Sequence, residues 1–206
     1  MVQIIQKKDG SGDQGSRFVE NAAPMITWRG DGGTPEVQCA ARVLAEIAEL
    51  AMSGYRRYPW GGVEIGGVLF GKIESGMVHI CAARPAECEH HYGPAFDLSA
   101  KDCEAFERLI AAAEGDEELA GLTPVGWYQS TSRRDLDLSD HARALFRRFF
   151  PEPWQVAMVV KRSKGEPLSV GFFVRDPHGG VELHSPAQEL TLERLQLHQS
   201  PPAAPE

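Results

Sequence analysis

Apolar residues along this chain switch repeatedly between helical spacing and short apolar runs, and each switch marks an element. Ala40, Val43, Leu44, Ile47, Leu50 and Ala51 recur at helical spacing, which predicts a helix capped by Thr34, with Pro35 at its first position and its end near Gly54. The run VEIGGVLFG, Val63 to Gly71, is continuously apolar apart from one glutamate and lies between turn-rich flanks, as a buried strand requires. A hairpin through Glu74, Ser75 and Gly76 leads from it into a second strand, Val78 to Ala83. Asp97 to Ala113 returns to helical period with Phe106, Leu109 and Ile110 on one face and Ser99 or Asp97 available as cap. The acidic turn GDEE follows it, and then a short strand, Val125 to Tyr128. A third helix, Leu138 to Phe150, carries Ala142, Leu145, Phe146 and Phe149 on its apolar side and turns Arg143, Arg147 and Arg148 away. Two strands close the pattern, WQVAMVVK and LSVGFFVRD, joined by a turn at Ser163, Lys164 and Gly165, with a weaker VELH beyond Gly179 and Gly180.

The order helix, strand, strand, helix, strand, helix, strand, strand predicts an α/β sandwich around a mixed sheet. Residues 1–24 and 199–206 lack periodicity and apolar content, so both are expected to be disordered tails flanking one domain, 25–198. With 206 residues the chain has room for one full core.

Charge and cysteine content narrow the function classes. Twenty-one Lys and Arg stand against 29 Asp and Glu, a formal charge of −8, which argues against gripping a phosphate backbone, so nucleic acid is not an expected partner. Cys39, Cys81, Cys88 and Cys103 form no CxxC pair, and a chain of this size needs no disulfide staples. No run of about 18 apolar residues occurs and the opening MVQIIQKKDG has no signal-peptide core, so a cytoplasmic protein without membrane association is expected.

The segment GWYQSTSRRDLDLSDHARALF, Gly126 to Phe146, carries the candidate chemistry. Together with VEIGGVLFG and GPAFDLSAKD, and in that order and spacing, it resembles the JAB/MPN domains, whose catalytic members are the JAMM zinc isopeptidases. The resemblance covers about Val63 to Asp176. It implies a cytidine-deaminase-like, three-layer sandwich, with a central mixed sheet flanked by helices.

In catalytic members of that family the pattern is His-x-His, a serine after seven residues and an aspartate three further on. Alternate residues on a strand face one way, so two histidines converge on an ion that the aspartate joins from the next helix, leaving zinc an open position for water. An upstream glutamate serves as general base and the serine stabilises the oxyanion. In this chain the resemblance places the glutamate at Glu64 and the serine at Ser139. The histidine positions hold Gln129 and Thr131 and the aspartate position holds Ala142. All three metal ligands are replaced, and neutral amide or hydroxyl oxygens are poor zinc donors. Ser132 stands where the family has proline.

The expectation is therefore a pseudoenzyme. Glu64, Gln129, Thr131, Ser139 and Ala142 form a vestigial pocket with no catalytic residue, no metal and no cofactor, and Glu64 hydrogen-bonds Gln129, Thr131 or Ser139. Ala142 continues the stripe of Leu145 and Phe146 and reads as ordinary core. Asp140 and His141 lie about 200° and 100° round the helix from Ala142, so neither substitutes for the lost aspartate; Asp140 reads as a first-turn acid and His141 as a surface residue. Asp135 and Asp137 read as turn formers, and CEHHYG, Cys88 to Gly93, as a solvated loop.

The resemblance implies a protein-binding or scaffold module, its partner a ubiquitin-like or sulfur-carrier-like tail or another JAB/MPN subunit, with homodimers a further option. Two alternatives stay open at this point. One is a zinc metallo-isopeptidase or peptidase with displaced ligands; the other is a sensor whose pocket takes a small polar ligand.

Overall fold

The computed structural model describes residues 24–29, 36–56, 62–132, 135–162, 168–175 and 190–191. The expected tails, the Thr34 cap with Pro35, the 163–165 turn and the VELH strand lie outside the described residues, except that Pro24 is described.

Among the described residues eight strands form one mixed sheet in the order β1-β2-β4-β3-β5-β6-β7-β8. They are β1 (Met25–Trp28), β2 (Glu36–Ala40), β3 (Gly66–Glu74), β4 (Met77–Pro85), β5 (Thr123–Thr131), β6 (Val156–Lys161), β7 (Ser169–Phe173) and β8 (Leu190–Thr191). The pairs β2/β4 and β5/β6 are parallel, and the other neighbours are antiparallel. Among the described residues three α-helices, α1 (Ala41–Arg56), α2 (Ala100–Ala111) and α3 (Asp140–Phe149), complete the mixed α/β fold.

Helices cover both faces of the sheet. On one, Val43, Leu44, Ile47, Ala51 and Tyr55 of α1 pack on Leu69, Val78, Ile80, Tyr128 and Met158. On the other, α2 and α3 bring Phe106, Ala142, Leu145 and Phe146 against Val68, Phe70, Trp127 and Val159. Trp127 is the hub of that second layer, with ring centroids 6.3 Å from Phe106 and 6.0 Å from Phe146. Such pairs add roughly 0.5–1.5 kcal/mol each beyond their buried area.

Local chemistry explains the boundaries. Glu36–Ala40 is a strand and not the start of a helix as the spacing predicts. Val37 and Cys39 are buried while Glu36 and Gln38 are half-buried, a period of two that pairing with β1 and β4 selects. Helix α1 begins only at Ala41, whose N–H donates to the Pro24 carbonyl. Between β3 and β4, Ser75 and Gly76 both have positive φ, 53° and 79°, the turn geometry whose twist suits a two-residue hairpin. Ser99, not Asp97, caps α2. Its hydroxyl accepts from Asp102 N–H while the Asp102 carboxylate accepts from Ser99 N–H, a reciprocal capping box. The GDEE segment includes a single turn of 3-10 helix, Glu117–Leu119, opened by Asp116.

One irregularity matters later. The register between β3 and β4 slips between Phe70 and Gly71, which face Ala82 and Ile80, so Cys81 is an extra residue in β4. A bulge of this kind reverses which face the following side chains occupy. Ile80 accordingly packs in the α1 layer, Ala82 in the α2/α3 layer and Ala83 back against the α1 layer.

Candidate functional site

Strand β5 sets the site. Trp127, Gln129 and Thr131 alternate with Tyr128 and Ser130, and the first three face the α2/α3 layer, where Trp127 packs in the core. Beyond the start of β3 the antiparallel pairing continues. Gly66 pairs with Gln129, Ser130 N–H donates to the Ile65 carbonyl at 2.7 Å, and Ile65 N–H donates to Ser130 Oγ at 2.9 Å. This lays Glu64 beside the end of β5.

The Gly66-Gly67 pair is what allows the approach. A Cβ on Gly66 would sit 2.3 Å from the Phe96 ring, so Phe96 rests directly on this position. The loop between β4 and α2 is drawn in by the same residues, since Glu64 N–H donates to the Pro94 carbonyl and Ala86 N–H to the Gly66 carbonyl.

Glu64, Gln129, Thr131, Ser139 and Ala142 line one pocket, with Ala95, Phe96, Asp97 and Asp137 completing its wall. The cavity measures about 10 Å³, about the space of one water molecule. Within it the side chains hold distinct jobs. Glu64, 8% exposed, accepts from Ser132 N–H at 2.9 Å and Ser132 hydroxyl at 3.1 Å through Oε1, and from Phe96 N–H at 3.3 Å through Oε2. Its partners are thus Ser132 and Phe96, not Gln129, Thr131 or Ser139 as the sequence leads one to expect. The reason is register: Glu64 reaches one residue past Thr131, to the chain that leaves β5. Ser132, which stands where the JAB/MPN pattern has proline, supplies both an N–H that proline lacks and a hydroxyl.

Ser139 caps α3, its Oγ accepting from Ala142 N–H at 3.1 Å. Ser139→Ala is expected to cost about 1 kcal/mol of stability through the lost cap, read as a lower denaturant midpoint with unchanged slope. Ala142 is 2% exposed and packs in the α2/α3 layer. Asp137 Oδ1 accepts from Leu138 N–H and ion-pairs with Arg143 at 2.7 Å. The backbone of Thr131 is pinned from behind, because the Tyr55 hydroxyl donates to its carbonyl at 2.7 Å. Burial pushes the Tyr55 phenol up to about 12, so it stays a donor at neutral pH. Gln129 differs from the rest: it is 6% exposed and its Oε1 has no hydrogen-bond partner among the described residues.

These donors do not suit zinc. Positions 129, 131 and 142 offer an amide, a hydroxyl and a methyl in place of the imidazole and carboxylate set that the ion needs, and the carboxylate of Glu64 is already engaged three times. Among the described residues no three His, Cys, Asp or Glu side chains are grouped to hold a metal. Asp140 and His141 are exposed, Asp140 in the first turn of α3, so neither enters the pocket.

The CEHHYG loop is ordered by hydrogen bonds to the chain. His90, at φ 52°, has Nδ1 3.2 Å from the Ala95 carbonyl, and the Asp102 carboxylate accepts from Glu89 N–H. Burial raises the pKa of Cys39, Cys81, Cys88 and Cys103, which keeps each thiol protonated and a poor nucleophile. Sequence reasoning missed Ser132 as the partner of Glu64 and Asp97 and Asp137 as pocket residues. The two aspartates were visible there only as a helix cap and a turn former.

No protein-family model matches the chain, and no curated protein matches it. Among solved structures, a protein from Desulfitobacterium hafniense is similar at 16% identity and a TM-score of 0.47, over 68% of this chain and 85% of that one. A protein from Salinibacter ruber is similar at 19% identity and a TM-score of 0.34, over 71% and 84%. No helix among the described residues is long and apolar enough to cross a membrane.

Proposed function

We propose that this chain is a JAB/MPN-like domain that has lost metalloisopeptidase chemistry and works as a protein-binding or scaffold module, with a ubiquitin-like or sulfur-carrier-like tail as the favoured class of partner. The observation that carries the reading is the convergence of residues 64, 129, 131, 139 and 142 on one pocket. Those are the places the family resemblance assigns to the base, the three zinc ligands and the oxyanion serine. Four of them lie within 129–142 on β5 and the start of α3, and Glu64 joins them from a distant segment of the sequence. Loss of chemistry follows from what occupies them. Glu64 has become a staple between the entry to β3, the 86–99 loop and the end of β5, Ser139 a helix cap, and Ala142 a core residue. Without a polarised water, the resting amide of a substrate meets a carboxylate committed to three hydrogen bonds, and the Lewis acid's several kcal/mol of transition-state stabilisation are absent.

The test is purified protein assayed for zinc content and for cleavage of ubiquitin-like fusions with zinc added, beside a Glu64→Gln control. The expected result is no stoichiometric zinc and no turnover. Cleavage abolished both by a chelator and by Glu64→Gln overturns the proposal and favours an enzyme with displaced ligands.

A further inference from the structure

A second depression lies on the other side of the sheet, between α1 and the end of β4. It is a cleft of about 420 Å³ lined by Glu46, Ile47, Glu49, Leu50, Ser53, Ala83 and Pro85, within the size range of pockets that take ligands or side chains. The bulge at Cys81 creates it. By reversing the pleat, it sets Ala83 on the α1 side, where larger β-branched residues stand earlier in the strand. Strand β2 pairs with β4 only as far as Cys39 opposite Ile80, so no strand of the sheet covers β4 beyond that point on this side.

The chemistry of the rim is specific. Glu46 and Glu49 stand three residues apart on one flank of α1, where like charges repel unless a cation lies between them. Glu49 makes no ion pair among the described residues. Glu46 pairs with Arg42 at 3.8 Å, both side chains more than half exposed, which is a weak contact open to exchange. Leu50, 38% exposed, supplies the apolar wall together with Ala83 and Pro85, above the buried Ile47. Beneath them Tyr128 is fully buried, its hydroxyl without a hydrogen-bond partner among the described residues. Its ring lies over Gly67, which pairs with Pro85 of the cleft. Burial and the Glu46 carboxylate both raise the pKa of this phenol, so it and Glu46 are electrostatic neighbours.

We propose that this cleft receives the basic side chains of an extended segment from a partner protein. A lysine or arginine stem lies along Leu50, Ala83 and Pro85 while its charged head sits between Glu46 and Glu49. Recognition runs through side chains and not through an added strand, because Arg42 donates to the Cys81 carbonyl and Arg84 to the Ala83 carbonyl, closing that edge of β4. The proposal is independent of the pocket at Glu64, which lies on the other face of the sheet.

The experiment is an NMR titration of the full chain at low salt with a capped six-residue peptide alternating lysine and leucine, and with its counterpart carrying glutamate for lysine. Amide shifts confined to Glu46 through Ser53 and Ala83, seen with the lysine peptide alone and suppressed at 1 M salt, are the expected result. In the double variant Glu46→Gln, Glu49→Gln the lysine peptide binds about tenfold more weakly, which corresponds to about 1.4 kcal/mol. Both positions are exposed, so unchanged circular dichroism verifies the fold. Shifts that map elsewhere, an equal response to the glutamate peptide, or a double variant that binds as tightly as the parent each overturn the proposal.

Discussion

Gln129→His, Thr131→His and Ala142→Asp introduced together are expected to give this chain a zinc affinity it lacks. The two strand positions already face one way on β5, both are buried, and both line the pocket that Ala142 closes from the first turn of α3. Imidazoles at 129 and 131 with a carboxylate at 142 supply three of the four positions of a tetrahedral site. Metal binding with such ligands is worth on the order of 10 kcal/mol, far more than the pocket's present contacts. The metal-free variant should be weaker than the parent, because the carboxylate introduced by Ala142→Asp would be buried unpaired beside the apolar layer in which Ala142 now packs. Zinc should therefore raise its melting temperature steeply and leave the parent's unchanged, as linkage requires of a ligand that binds the folded state alone. Calorimetric titration at one zinc per chain is the direct measurement. A variant that folds and takes up no zinc would remove the main support for relating these positions to a metal site.

How much of this was legible in the sequence depended on whether the information was local. The strands around Val68 to Phe70 and Trp127, and helix α2 with its Ser99 cap, follow from runs of apolar residues and from cap chemistry within a few positions. Strand β2 was not legible, because the helical spacing of α1 runs back through Ala40 and masks a two-residue alternation that pairing with β1 and β4 decides. Strand β1, Met25–Trp28, is four residues long and was likewise hidden. At the site, the alternation of Gln129 and Thr131 was readable from strand geometry, and the burial of Ala142 from its helical stripe. The Glu64–Ser132 contact was not, since it depends on the register with which residues 64–66 run beside 129–132, a non-local quantity. The bulge at Cys81 was invisible for the same reason, and with it the acidic cleft beside α1.

Gly67→Val should lose about 3 kcal/mol of stability or more, a larger effect than a substitution at either Gly66 or Gly76. Gly66 and Gly67 of VEIGGVLFG are both held by contacts, yet the contacts differ in kind. A Cβ on Gly67 would lie 2.1 Å from the Arg84 carbonyl oxygen and 2.9 Å from the Pro85 Cα, both backbone atoms of the paired strand, and 2.8 Å from the Tyr128 ring. Backbone cannot swing aside, so the β3/β4 ladder must open where it also walls the α1 cleft. On Gly66 the clash is with the Phe96 ring, a side chain. Gly66→Ala should therefore cost less in stability but displace Phe96, whose N–H holds Glu64. Gly76, at φ +79° with open space around it, sets the lower bound. Replacing it with alanine should cost only about 1 kcal/mol of backbone strain. Urea denaturation should thus rank the three as Gly67→Val, Gly66→Ala and Gly76→Ala in order of decreasing loss. Since the whole fold of a typical domain is stable by only about 5–15 kcal/mol, Gly67→Val is expected to be substantially unfolded at moderate urea where the parent is intact. A Gly67→Val protein within about 1 kcal/mol of the parent would show that β3 and β4 can separate at this point, and would place the rigidity of the Glu64 pocket elsewhere than in the glycine pair.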